Sequence, residues 1–157
     1  MKNGKRGRQG RWSRSNMILV VVHPKNPHIR NGRHALLVIC ASRNRKSVWA
    51  KMILFLSGCD IGTPLPKNTF LPHPQGIVVG SHVRLGCNVV IGHQVTLGGK
   101  DMKIENMPEI CDGVYLGAGA KVLGKLTVGA GATIGANAVV TKDVPAGAVV
   151  IGANRII

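Results

Sequence analysis

Residues 79–98 read VGSHVRLGCNVVIGHQVTLG, and residues 110–140, ICDGVYLGAGAKVLGKLTVGAGATIGANAVV, take up the same beat after an interruption. An aliphatic residue returns every six positions, at Val79, Leu85, Ile91 and Leu97, and again at Ile110, Leu116, Val122, Val128, Ile134 and Val140. At this chain's apolar content, ten such residues in succession would arise by chance in about one register in 3000. Glycine follows at Gly80, Gly86, Gly92, Gly98, Gly117, Gly129 and Gly135. Four positions after every one of these aliphatics except Leu97 lies a second apolar or small residue, from Val83, Val89 and Val95 through Val114, Ala120, Leu126, Ala132 and Ala138 to Val144. Two superposed registers of six fit neither the helical period of 3.6 nor the strand period of 2. They fit a parallel β-helix, in which each hexapeptide is one short strand and one corner. Three hexapeptides close a triangular coil of about 18 residues, and coils stack at the strand spacing of about 4.8 Å.

The composition agrees with that architecture. The chain has 157 residues, the size of one domain, with 21 glycines and only 3% aromatics. A core of stacked Val, Ile and Leu needs no large rings. Charge is uneven. Residues 1–51 hold 13 of the 21 basic residues and no acidic ones, while residues 52–157 hold the other 8 and all 6 acidic ones. Of the net charge of +15, +13 therefore belongs to the N-terminal segment and only +2 to residues 52–157. A nucleic-acid protein would carry its basic face on the folded domain, with aromatics interleaved, so no specific nucleic-acid partner is expected. The segment's charge alone would suit adventitious binding to RNA or anionic lipid.

The expected organisation is a basic, partly disordered arm over 1–45, an N-terminal helix over 46–58 and the β-helix over 59–157. The helix is read from Ser47–Ser57 and stops at Gly58. Leu97 and Ile110 are 13 apart where 12 would keep register, so a loop is expected around Gly98–Glu109. Pro64–Lys67 is read as irregular, and Asp143–Gly147 as a turn into a last strand at Val149–Ile151. The longest aliphatic run, Ile18–Val22, is far short of a membrane span, and no cleavage site follows it. The cysteines Cys40, Cys59, Cys87 and Cys111 lie far apart with no CxxC spacing, which predicts reduced, buried small hydrophobes in a cytoplasmic protein.

The body contains three histidines, His73, His82 and His93. His73 lies six before Val79, at a repeat position where later coils place an aliphatic, and between Pro72 and Pro74. It is 20 before His93, which puts the two on adjacent coils near one corner. An imidazole, with an ordinary pKa of about 6.5, can take a proton from an alcohol at neutral pH. A capping or surface histidine is the alternative that position alone leaves open.

Three blocks, LPHPQGIVVG at 71–80, VTLGG at 95–99 and PEI…GVYLGAGAKVLG at 108–124, resemble the serine acetyltransferases of the hexapeptide-repeat acyltransferase family, and the related exopolysaccharide O-acetyltransferases. The resemblance covers residues 58–157. It implies a left-handed coil, homotrimers with active sites in the clefts between subunits, and transfer of acetyl from acetyl-CoA to an acceptor hydroxyl without a covalent enzyme intermediate. It implies His73 as general base, with Asp60 in Gly58-Cys59-Asp60-Ile61 orienting it, although Asp60 and His73 are two residues closer than the family's spacing. It carries the acyl-donor site over to Gly99, Ala118 and Ala136. Lys142 and Arg155 could face the CoA phosphates on grounds of charge. The oxyanion would be met by a backbone N–H near Gly98-Gly99. No metal is implied.

At the acceptor site the chain departs from the family. Serine acetyltransferases place a basic residue and a second histidine before the third block's proline, and an aspartate before the catalytic histidine. Here those positions hold Asn106, Met107 and Pro72, which favours a saccharide or another hydroxyl over serine. Two other classes compete: a zinc site built from His73, His82 and His93, as in β-helical carbonic anhydrases, and a non-catalytic β-helix scaffold with a docking arm.

Overall fold

Aliphatic residues that recur every six positions can all be buried only if the backbone turns after each short strand, and the chain does so from residue 60 to its end. The structure is a computed structural model that describes residues 21–23, 26–66, 68–101 and 106–157, with side chains from residue 29 onward. It opens with an antiparallel pair, β1 (Val21–His23) and β2 (Asn26–Asn31), followed by helices α1 (Arg33–Arg43) and α2 (Val48–Leu56). Short strands then follow: β3 (Asp60–Ile61), β4 (Val78–Val79), β5 (Arg84–Leu85), β6 (Val90–Ile91), β7 (Thr96–Gly98) and β8 (Glu109–Ile110). The series continues with β9 (Tyr115–Leu116), β10 (Lys121–Leu123), β11 (Thr127–Val128), β12 (Thr133–Ile134), β13 (Val139–Val140), β14 (Val149–Ile151) and β15 (Arg155–Ile156).

From β4 onward the chain visits three parallel sheets in a fixed cyclic order. The first sheet stacks β3, β4, β7, β10 and β13, the second β5, β8 and β11, and the third β6, β9, β12 and β14. Within the first sheet Asp60 pairs with Val78 and Val78 with Thr96, a rise of 18 residues per coil. The inward column is the one the repeat predicts. Ile61, Val79, Leu97, Val122 and Val140 line the first sheet, and Ile91, Leu116, Ile134 and Val150 the third, all buried. Corner positions carry the second register, Val83, Val89, Val95, Val114, Ala120, Ala132 and Ala138, also buried. Phe70 is the one aromatic among the largest fully buried side chains of the described residues.

Three departures from the 18-residue coil shape the molecule. Leu85 pairs with Ile110 and Leu97 with Val122, 25 residues apart. The segment after Leu97 therefore replaces a six-residue step and inserts seven residues, not the one that a count of twelve implied. The last coil is two residues short, since Thr133 pairs with Val149 and Val128 with Val144; the turn Asp143–Gly147 leads into β14 as expected. The first coil carries a corner insertion, described with the site below.

The N-terminal region differs from the arm expected over 1–45. Its first twenty residues lie outside those described, but α1 occupies 33–43 and buries Ala35, Val38, Ile39, Ala41 and Ser42. Spacing of i, i+3, i+4 and i+7 at Ala35, Val38, Ile39 and Ser42 gives α1 one core-facing stripe, and it packs over the open start of the coil. Arg43 donates to the Leu65 carbonyl at 3.2 Å, Leu65 N–H donates to Ser42 Oγ at 3.2 Å, and Arg45 donates to the Gly62 carbonyl. The helix read at Ser47–Ser57 is α2. The cysteines are free, but only Cys59 is buried; Cys40 and Cys87 are exposed, because each falls on an outward position of a helix or corner.

Leu116 sits mid-stack between Ile91 and Ile134. Leu116→Ala is expected to cost about 2–5 kcal/mol, read as a lower urea midpoint with an unchanged slope.

Candidate active site

The corner leading from the third sheet to the first is where the candidate residues gather. Ile91, Leu116 and Ile134 are in register, so the residues two further on, His93, Ala118 and Ala136, stand in one column along that edge. Backbone bonds hold the column: Gly119 N–H donates to the His93 carbonyl and Asn137 N–H to the Ala118 carbonyl, both at 2.8 Å. A Cβ on Gly117 would lie 2.7 Å from the Ala136 nitrogen, so the coils approach too closely here for any side chain at that position. The next column turns through the left-handed region in every coil, at Gly76, Gln94, Gly119 and Asn137, with φ of 62°, 56°, 72° and 55°.

The first coil breaks this pattern below His93. Phe70 bridges Val90, which sets Leu71 under Ile91, and Gln94 N–H donates to the Gln75 carbonyl at 2.9 Å, which sets Gly76 under Gln94. Five chain steps from Leu71 to Gly76 therefore run beneath three from Ile91 to Gln94. The two extra residues push the Pro72-His73-Pro74 segment outward. His73 thus does not occupy the inward repeat position. Leu71 holds that place, fully buried, and His73 is exposed at the corner. Its ring meets that of His93 edge-on, with centroids 6.1 Å apart and planes at 76°.

The corner is anchored from below. Asn31 is completely buried; its Nδ2 donates to the Thr69 carbonyl and the Leu71 N–H donates to its Oδ1, each at 2.7 Å. Gly76 N–H donates to the Ser57 carbonyl at 3.1 Å, and the Cys59 thiol reaches the Pro74 carbonyl at 3.6 Å. The first turn of α1 forms a wall: Gly32, His34 and Ala35 enclose, with Pro72, His73, Pro74 and Gln75, a cavity of about 190 Å³. Asn31 and His34 escape sequence reasoning because the charge of the segment masks its helical stripe.

The other expected residues are spread over two edges. Ala118 and Ala136 share the His73 edge. Gly99 and Lys142 follow β7 and β13 at the far ends of first-sheet strands, across a width of about 10 Å for three strand residues. Lys142 lines a small cavity of about 80 Å³ with Asp143, Val150 and Asn154. Arg155 lies in β15, which runs antiparallel to β14. Asp60 is exposed on β3 and lines a separate cavity of about 650 Å³ with Arg45, Lys46, Lys51 and Phe55.

The substituted acceptor positions offer no cation. Asn106 donates to both Asp101 carboxylate oxygens, at 3.0 and 2.8 Å. Met107 packs against the core, its sulfur 3.1 Å from where a Cβ on Gly80 would stand. Residues 102–105 of the inserted loop lie outside those described. His82 is hydrogen-bonded to Ser81 at 3.0 Å and faces a different cavity, of about 640 Å³, with Arg84, Glu109, Lys125 and Asp143. Among the described residues, no three His, Cys, Asp or Glu side chains come together as a metal-binding group.

Residues 107–142 match the family of bacterial transferase hexapeptide repeats (six repeats). This is a hexapeptide-repeat chain. The hexapeptide-repeat chain is 44% identical over 106 residues to a serine acetyltransferase of Mycobacterium tuberculosis, an alignment covering 66% of this chain and 46% of that protein. It is 40% identical over 107 residues to a serine acetyltransferase of Helicobacter pylori, covering 66% and 63%. Among solved structures, the serine acetyltransferase of Neisseria gonorrhoeae superposes with a TM-score of 0.64 at 31% identity, over 76% of this chain and 53% of that one. The hexapeptide-repeat chain thus spans about half the length of the curated relatives it matches.

Asn31→Ala leaves the Thr69 carbonyl and the Leu71 N–H unpaired in the interior. A loss of about 1–3 kcal/mol per orphaned group is expected in thermal or urea unfolding, whereas a surface asparagine would change stability by a few tenths.

Proposed function

We propose that this protein transfers acetyl from acetyl-CoA to a hydroxyl group, in the manner of the serine acetyltransferases, with His73 as general base. The observation that carries the reading is the His73 corner. An exposed imidazole stands on an edge whose upper coils, at Ala118 and Ala136, present only methyl groups, beside a cavity walled by α1. An extended thioester arm can lie along such an edge against the backbone. His73 takes the acceptor's hydroxyl proton as its oxygen attacks the thioester carbonyl; the new C–O bond forms and the C–S bond breaks. The CoA thiolate leaves and recovers the proton, so the products are the O-acetyl ester and free CoA.

The finer assignments belong to the same reading. The three sheets form a closed, left-handed parallel β-helix over 59–157, and three copies associate with the His73 edge at the cleft between neighbours. A neighbouring copy brings its own Gly99 and Lys142 edge toward that cleft, which gives a role to residues that stand apart within one chain, with Lys142 facing the CoA phosphates. Asp60 orients His73 in this reading, although within one chain the two line separate cavities.

Two acceptors are in play. The relatives' names favour serine. The neutral amide of Asn106, the thioether of Met107 and the ring of Pro72, which replace the expected amine- and carboxylate-binding groups, favour a saccharide hydroxyl. Acetyl-CoA turnover, followed by free-thiol release with L-serine and a panel of sugars in parallel, decides between them. His73→Ala is expected to lower turnover about 10²–10⁴-fold with the fold retained. Absence of CoA binding and of release with every acceptor would replace transfer by the scaffold reading.

A further inference from the structure

Helix α2 is apolar on almost every side, with Lys51 its one charged residue. A helix of that kind is normally buried all round. Here Ala50 is buried and Ile53 and Leu54 are half-buried against the core, while the opposite arc faces outward. Val48, Trp49, Phe55 and Leu56 are each 72–82% exposed and Met52 42%. At 100° per residue these five cover one continuous arc of about 120°, so they form a stripe and not scattered single residues.

The surroundings of the stripe decide what covers it. Arg45, Lys46 and Lys51 flank it and line the adjoining cavity of about 650 Å³, against a single carboxylate, Asp60. Residues 1–51 carry 13 Lys and Arg and no Asp or Glu. A second copy docked stripe to stripe would bring these cations together with almost nothing to pair them, and the chain's own first twenty residues carry six more cations and no anions. The complementary occupant is an apolar phase with a negative surface. We propose that the outer face of α2, with its basic rim, docks on an anionic lipid bilayer. Nine residues make a helix about 14 Å long, too short to span and suited to lie in the interface plane, with Trp49 at headgroup depth. The docking is independent of the acyl-transfer reading, since neither His73 nor its edge takes part.

The test is co-sedimentation of the full chain with phosphatidylcholine vesicles and with vesicles of phosphatidylcholine and phosphatidylglycerol at about 7:3. Binding to the anionic vesicles is expected to exceed that to the neutral ones by roughly tenfold or more, and to weaken as salt is raised through the screening range. Trp49→Ser/Leu56→Ser should lower it by a further tenfold or so while leaving the melting temperature and acetyl-CoA turnover unchanged. The proposal is overturned if the chain stays in the supernatant with anionic vesicles, or if the double variant binds as well as the parent. It is equally overturned if light scattering shows a concentration-dependent assembly that the double variant abolishes, which would assign the stripe to a second copy.

Discussion

The structure rests on one constraint: each coil must present its inward aliphatics and its backbone groups directly above those of the coil below. A parallel ladder satisfies every strand's N–H and C=O groups only when the pairing is uniform, as in Asp60, Val78 and Thr96 or Leu116 and Ile134. The interior is then a set of vertical columns of Val, Ile and Leu. Burial of about 25 cal/mol per Å² of apolar surface is collected along the columns, with no need for aromatic bulk. The same constraint makes a side chain unacceptable wherever backbones of successive coils converge, as at Gly117.

A register this strict leaves few places where the chain can depart from it, and the candidate chemistry sits at those places. Two extra residues between Leu71 and Gly76 lift His73 out of the ladder and expose its ring, while Leu71 keeps the column filled. Seven extra residues after Leu97 make the loop that carries Gly99, Asp101, Asn106 and Met107. In both cases the segments on either side remain paired in parallel with the neighbouring coil, so the insertions do not disturb the stack. They project groups from a rigid frame, which suits a site that must hold its geometry.

The repeat was legible because its signal is redundant. Ten aliphatics and nine corner residues in a fixed phase predict the three sheets, the inward column and the terminal strand at Val149–Ile151. The pairing of His73 with the His93 corner was legible from a separation of 20. The outward placement of His73 is not legible, because periodicity counted back from Val79 assumes that the coil has no insertion. A two-residue bulge leaves no periodic trace when it falls in the first coil, where only one neighbour exists for comparison. The size of the loop after Leu97 is hidden for a related reason: a count between aliphatics does not say which sheet the next strand joins. Helix α1 is masked in the sequence because Arg33, Arg43 and Arg45 dominate the composition of its segment, although Ala35, Val38, Ile39 and Ser42 carry the helical spacing.

A stacked coil has a further problem that its repeat cannot solve, since its first and last strands expose unpaired edges. The two ends are closed differently. At the end of the chain β15 folds back antiparallel on β14, and Asn154 exchanges hydrogen bonds with Thr141. At the start, α1 and α2 lie over the first coil, and Asn31, Ser42, Arg43 and Arg45 bond the carbonyls and N–H groups of residues 62–71 that no earlier coil can reach. A helical cap must be apolar toward the coil, and α1 meets that need with one stripe. Helix α2 is apolar on both faces, which capping alone does not require. Its inner face closes the coil, whereas its outer face adds nothing to the stability of the chain and exposes large side chains to water. That surplus, bordered by cations, sets α2 apart from α1 and makes its exposed side a matter of binding and not of folding.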